Sequence, residues 1–206
     1  MTVAIIAGFF MGLSLIIPIG AQNAYVLKLG LLKQHVLPVA LLCATMDAIL
    51  IVLGVAFAGA TFTSNPTALN VVRYIGVAFL LFYGARAFYN AYHHAQPNAD
   101  APLAQNISLK AAVLTCLGFT LLNPHVYLDT FLLIGSIGAQ YTPNHFYYAL
   151  GASTASFVWF LSLGFGARLL TPLFAKSKTW VILECVIGII MWTIAYKIWT
   201  MPLVAA

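Results

Sequence analysis

Between Lys110 and Arg168 the chain runs for 57 residues with a single charged side chain, Asp129. Met1 to Leu27 carries no charged side chain at all. A helix needs roughly 20 predominantly apolar residues to cross a bilayer, so the longer stretch has room for two spans and the shorter for one. Outer-membrane strands would alternate apolar and polar residues over about 10 positions. These runs are continuous, which points to an all-α, polytopic helical bundle in a membrane. The composition agrees. Charged residues make up 6% of the chain, against about 25% in a typical soluble domain. So few charges cannot solvate the surface of a globule, which excludes an ordinary soluble domain and a disordered chain. The net charge of +5 does not indicate nucleic acid, because the Lys and Arg residues are scattered rather than gathered on one face.

Turn residues divide the chain into six expected spans, near 3–27, 36–60, 69–89, 111–139, 146–167 and 180–200. The N-terminus lacks a basic segment, and its apolar run exceeds the about 7–15 residues of a signal-peptide core, so it reads as the first span. The whole chain, 1–206, reads as one transmembrane domain. A loop near 91–109 separates halves of approximately 1–95 and 108–206. Lys28 and Lys33 read as residues of the first loop, Arg86 and Lys110 flank the third, and Arg168, Lys176 and Lys178 belong to the fifth, leaving Arg73 and Lys197 for the other side. Lysine and arginine concentrate on the cytoplasmic side, so both termini are expected to face the periplasm. The cysteines Cys43, Cys116 and Cys185 lack CxxC spacing and read as small buried residues rather than metal ligands or a disulfide.

The halves repeat one another. Gly12 to Leu27 aligns without gaps on Gly118 to Leu133, which pairs Gly12 with Gly118, Ser14 with Thr120 and Pro18 with Pro124. In the second spans Ala40, Leu41 and Thr45 match Ala149, Leu150 and Thr154, and Asp47 then stands opposite Ser156. Three spans per half is an odd number, so a duplication would insert its halves in opposite orientations. Inverted repeats of this kind are common in transporters, with the site at the repeat interface near the midplane.

Pro18 and Pro124 lie near the centres of their apolar runs. A proline there removes a backbone donor and clashes with the preceding turn, which breaks or kinks the helix. Broken first and fourth helices are therefore expected, with Pro18, Gly20, Asn123 and Pro124 at the breaks. The half-helix after each break would offer free amides and a positive dipole end to an anion. Polar side chains follow directly: Gln22 and Asn23 after the first break, His125, Tyr127 and Asp129 after the second. Asn123 also fits an N-cap followed by proline at the first helical position, and His125 also fits a hydrogen-bonded core histidine.

Asp47 and Asp129 carry the strongest signal. A carboxylate near the bilayer centre costs at least about 2.5–3.5 kcal/mol, and no Lys or Arg lies near mid-span in the sequence to neutralise either one. The pair could share a proton, hold a cationic substrate, or alternate between the two. Glu184, near the start of the last span, reads as interfacial. Gly8 and Gly12 form a GxxxG pair that permits close helix approach, expected within the protomer. HExxH and GxSxG are absent, so the residues give no reason to expect an enzyme.

The stretches Ile17-Pro18-Ile19-Gly20-Ala21-Gln22-Asn23-Ala24-Tyr25-Val26-Leu27 and Leu122-Asn123-Pro124-His125-Val126-Tyr127-Leu128-Asp129-Thr130, with Ala44-Thr45-Met46-Asp47 and Phe82-Tyr83-Gly84, resemble the LysE family of bacterial amino-acid exporters. The resemblance covers essentially the whole chain. The branch exporting homoserine, threonine and neutral amino acids usually carries Pro-Gly-Pro in the first span. This chain has Pro18-Ile19-Gly20-Ala21 instead, and is more similar to the lysine and arginine branch. The resemblance implies efflux of L-arginine, with L-lysine and canavanine as further substrates, across the bacterial inner membrane. An exporter of neutral amino acids and a cation or metal exporter of the same superfamily stay open as alternatives. The expected partners are a basic amino acid, protons and membrane lipid, without nucleic acid or cofactor; assembly into a homo-oligomer stays open.

Overall fold

A computed structural model of the chain describes residues 1–18, 20–56, 66–94, 106–123, 126, 129 and 133–200, with the backbone alone at 66–72, 136, 139 and 175. Its main helices are α1 (Thr2–Ile16), α2 (Ala21–Leu32), α3 (Val36–Ala56), α4 (Pro66–His94), α5 (Leu109–Leu121), α6 (Gly135–Ala139), α7 (His145–Gly166) and α8 (Ser177–Thr200). No strand occurs among the described residues. Helix is the form that satisfies every backbone group within its own segment, which hydrocarbon demands. Val36–Ala56, His145–Leu170 and Ser177–Thr200 are long and apolar enough to cross a membrane, and α1 and α2 qualify together as a broken pair.

The surface is inverted relative to a soluble protein. Val3, Phe10, Phe82, Leu114, Leu150 and Ile182 point outward, while Lys28 and Glu184 are buried. Between helices there is no hydrophobic gain from leaving lipid, so close packing holds them together. Glycines provide it. Gly8 lies on the backbone of Tyr148, Gly12 on Ala152, and Gly151 on Ile5 and Phe9. The GxxxG pair of α1 therefore seats α7 of the same chain, as expected. In α4 and α8, Gly84 makes room for the Trp192 ring and Gly188 for the Phe88 ring, and those rings meet edge to face at 4.9 Å.

The first helix is broken where the proline requires it. α1 ends at Ile16 and α2 starts at Ala21, with 83° between them. Contacts with α7 show where the pair goes. Gly8 meets Tyr148, Gly12 meets Ala152, Trp159 bonds Asn23, and Gly30 meets Gly164 and Ala167. The partners advance along α7 in step with the sequence, so α1 and α2 together make one passage along it. A loop that turned back would retrace them. α5 and α6 run along α3 in the same way: Ile107 bonds Gln34 and His35, Cys116 meets Cys43, Gly135 meets Gly54, and Gly138 meets Val55.

Two boundaries and one residue differ from the sequence expectation. The first helix does not end at Leu27. It continues to Leu32, and Lys33 stops it in the left-handed conformation, φ 55. Lys28 is consequently a buried helical residue, not a loop residue. Glu184, near the start of the last span as expected, is 0% exposed within the bundle and pairs with Lys28 at 2.5 Å, a partner the sequence did not indicate. α4 runs on to His94, so the connection between the halves starts later than residue 91.

Candidate functional site

A cavity of about 380 Å³ opens at the break between α1 and α2, within the roughly 300–1,000 Å³ usual for small-molecule sites. Pro18, Gly20, Ala21, Gln22, Asn23, Asp47, Asn123, Asp129 and Lys197 line it, with Ile51, Phe160 and Ile194 among the apolar walls. Both mid-span aspartates, the break at Pro18 and Asn123 beyond the end of α5, far apart in sequence, thus meet around one space.

Gly20 caps α2 in an extended conformation. The first amide of the helix to bond its own backbone is that of Ala24, to the Gly20 carbonyl at 3.0 Å. The amides before it are free of helical partners, as at any helix start. The Nε2 of Gln22 is buried there and makes no hydrogen bond among the described residues. Asp47, half-buried on α3, accepts a hydrogen bond from Ser156 Oγ of α7 at 2.9 Å. Asp129 is also half-buried. Lys197, exposed near the end of α8, supplies a cation that sequence reasoning placed on the opposite side of the membrane from most basic residues without linking it to the site. Pro124, His125 and Tyr127 lie outside the described residues.

Asn23 has a different geometry from the other expected site residues. Its Nδ2 donates to the carbonyls of Ile16 at 2.6 Å and Pro18 at 3.2 Å, and its Oδ1 accepts from Trp159 Nε1 at 3.2 Å. It satisfies the carbonyls that the break leaves without helical partners and ties the bend to α7. Asn23→Ala should lower stability by about 2–3 kcal/mol, since each orphaned buried group costs about 1–3 kcal/mol. Thermal unfolding in detergent measures this, and an unchanged midpoint contradicts the assignment.

Beyond the cavity, aromatic side chains pack across the bundle. Along α2, residues 20–23 line the cavity, Tyr25 follows one turn on, and Lys28 one turn further. Tyr25, Tyr83 and Phe119 form an aromatic layer, with Tyr83 and Phe119 at 4.8 Å and Tyr25 at 5.9 and 5.6 Å from them. The Sγ atoms of Cys43 and Cys116 lie 3.0 Å apart in the same core, both as free thiols. Past the layer lies a smaller cavity of about 50 Å³, lined by Lys28, Arg86, Asn90, Thr115 and Glu184.

Lys28 and Glu184 escaped sequence reasoning because 156 residues separate them. The apolar Leu29, Leu31 and Leu32 were the available sign that the helix continues past Lys28.

Comparison with known proteins assigns the chain to a family. The family described as LysE type translocator matches residues 13–201. YggA of Aeromonas salmonicida, named as a candidate amino-acid transporter, is 42% identical over 97% of this chain and 97% of its own. The arginine exporter protein ArgO of Klebsiella pneumoniae (strain 342) is 40% identical over 93% of this chain and 90% of its own. ArgO of Serratia proteamaculans (strain 568) is 39% identical over 96% and 97%. No solved structure matches. A multi-pass helical bundle, with a broken first span and two carboxylates around one cavity, is matched over most of its length by LysE type translocators, and the chain belongs to that family.

Proposed function

We propose that this protein is a secondary transporter that exports basic amino acids, L-arginine foremost, from the cytoplasm across the bacterial inner membrane in exchange for protons. The observation that carries this reading is the meeting of Asp47 and Asp129 around one cavity at the helix break. With Lys197 on the same cavity, two carboxylates and one ammonium leave a net charge of −1, which matches a basic amino acid of net charge +1. The free amides at the start of α2 suit its carboxylate. The relatives named as arginine exporters support the same substrate class.

Moving one positive charge outward against an inside-negative potential costs roughly 2.3 kcal/mol per 100 mV, and one incoming proton cancels that electrical cost. The aspartates are the groups available to carry it.

Alternating access between inverted repeats is supported by the packing. α1 with α2 follows α7, while α5 with α6 follows α3. Exchanging the halves turns one relation into the other. Asp47 and Ser156, equivalent in the sequence repeat, touch at 2.9 Å. Positions related by a twofold axis touch only where the axis passes between them.

Initial rates of efflux from proteoliposomes, under imposed pH and voltage gradients, test the function. L-arginine, L-lysine and canavanine should move, and homoserine and threonine should not. Transport confined to neutral amino acids or metal ions contradicts the proposal. Orientation is tested separately: an enzyme active only in the periplasm should work when fused after Ala206, and silence there contradicts the six-span arrangement.

A further inference from the structure

The Lys28–Glu184 pair lies outside the cavity that holds Asp47 and Asp129, and the transport reading does not use it. Three observations argue that it is more than a brace. The first is cost. Burying two charges in an apolar bundle is repaid only by full hydrogen bonding, and apolar residues often serve stability as well. Here Glu184 is 0% exposed; its Oε1 meets Lys28 Nζ, while its Oε2 is buried and has no hydrogen-bond partner among the described residues. The carboxylate can therefore accept more than Lys28 supplies. The second is position. The pair borders the 50 Å³ cavity on the far side of the Tyr25, Tyr83 and Phe119 layer, at the end where Lys33, Lys110 and Arg168 also lie. A space that size admits a little water, which needs about 10–15 Å³ of such volume per molecule, but no amino acid. The third is chemistry. Arg86 lines the same cavity and is a bidentate partner for a carboxylate, so the inventory there is a carboxylate for a cation and a guanidinium for an anion.

We propose that Glu184 is a second binding site for the basic group of the substrate, at the basic end of the bundle, and that Lys28 occupies it as a tethered surrogate whenever substrate is absent. This rests on the transport reading above. Opening the basic end would separate α2 from α8, withdraw Lys28 and expose Glu184 to an arriving guanidinium or ammonium group, with Arg86 facing its carboxylate. No bond is made or broken; one cation replaces another on the same carboxylate.

A competitor held in the site lowers apparent affinity in proportion to its occupancy. Removing it should lower the half-saturating concentration of L-arginine at the basic end by about tenfold if Glu184 is otherwise free about one-tenth of the time. The measurement is the initial rate of labelled L-arginine transport in proteoliposomes, with arginine varied on each side separately. Lys28→Gln should show that gain at the basic end alone. Adding Glu184→Gln should reverse it and raise half-saturation above wild type at the same end.

A brace makes the opposite forecast. The double variant leaves no buried charge unpaired, so it should fold and keep wild-type half-saturation on both sides; that result overturns the proposal. Should Lys28→Gln alone fail to fold, the double variant decides, and half-saturation raised at the basic end alone supports the site. If wild type moves no basic amino acid, the transport reading itself fails and this one with it. If wild type moves arginine and neither variant shifts half-saturation, only the Glu184 site is lost.

Discussion

Asp47→Asn and Asp129→Asn should each cut pH-driven L-arginine efflux by about 10- to 150-fold, the rate equivalent of the roughly 1.5–3 kcal/mol that a hydrogen bond to a charged group contributes. Asparagine keeps the approximate size and removes the charge, so packing is little disturbed. At Asp47 it can still accept from Ser156 Oγ, which holds it at 2.9 Å. The two positions can be told apart by measuring exchange of arginine for arginine, which needs no net proton movement. A variant that loses pH-driven efflux but retains exchange has lost the proton carrier. A variant that loses both has lost the substrate's cation site. Wild-type pH-driven efflux in both variants would sink the mechanism, because no other acid lines that cavity among the described residues.

The second large effect is structural. Gly151→Val should cost about 3 kcal/mol or more, at or beyond the upper end of ordinary overpacking. A Cβ at Gly151 would stand 2.0 Å from the carbonyl oxygen of Ile5 and 2.9 Å from the nitrogen of Phe9. These are backbone atoms of α1, which cannot swing aside as a side-chain tip can. Gly8→Val meets the Tyr148 carbonyl at the same 2.0 Å from the other side. Gly166→Ala is the control, since nothing lies within 4 Å of its Cβ. Thermal unfolding and monodispersity in detergent report the outcome. A Gly151→Val protein as stable as Gly166→Ala would show that α1 and α7 do not pack backbone to backbone.

The most legible residues were those whose presence in hydrocarbon is expensive on its own account. Pro18 announces a break through its missing donor, and α1 ends at Ile16 as that predicts. Asp47 and Asp129 stand out because a mid-span carboxylate carries a cost whatever surrounds it. Gly8 and Gly12 indicate a close helix partner, though not which helix supplies it. Asn23 was legible only in part: its place after the break suggested substrate contact, while its hydrogen bonds depend on a tryptophan 136 residues away. Glu184 was legible in part: its place near the start of the span was read from the sequence, while its burial against Lys28 was not. Depth within a bundle depends on which way a helix face turns.

Membrane residence, helical class, the break at Pro18 and the prominence of the two aspartates were determined by the sequence alone. Each follows from local solvation or backbone chemistry, which a residue carries wherever it sits. Tertiary structure alone decided that Asp47 and Asp129 share a cavity with Lys197, that Asn23 seals the bend through Trp159, and that Lys28 reaches Glu184. Those are relations between helices. They depend on how glycine-lined faces dock and rotate, and neighbours brought together that way leave no fixed spacing in the chain.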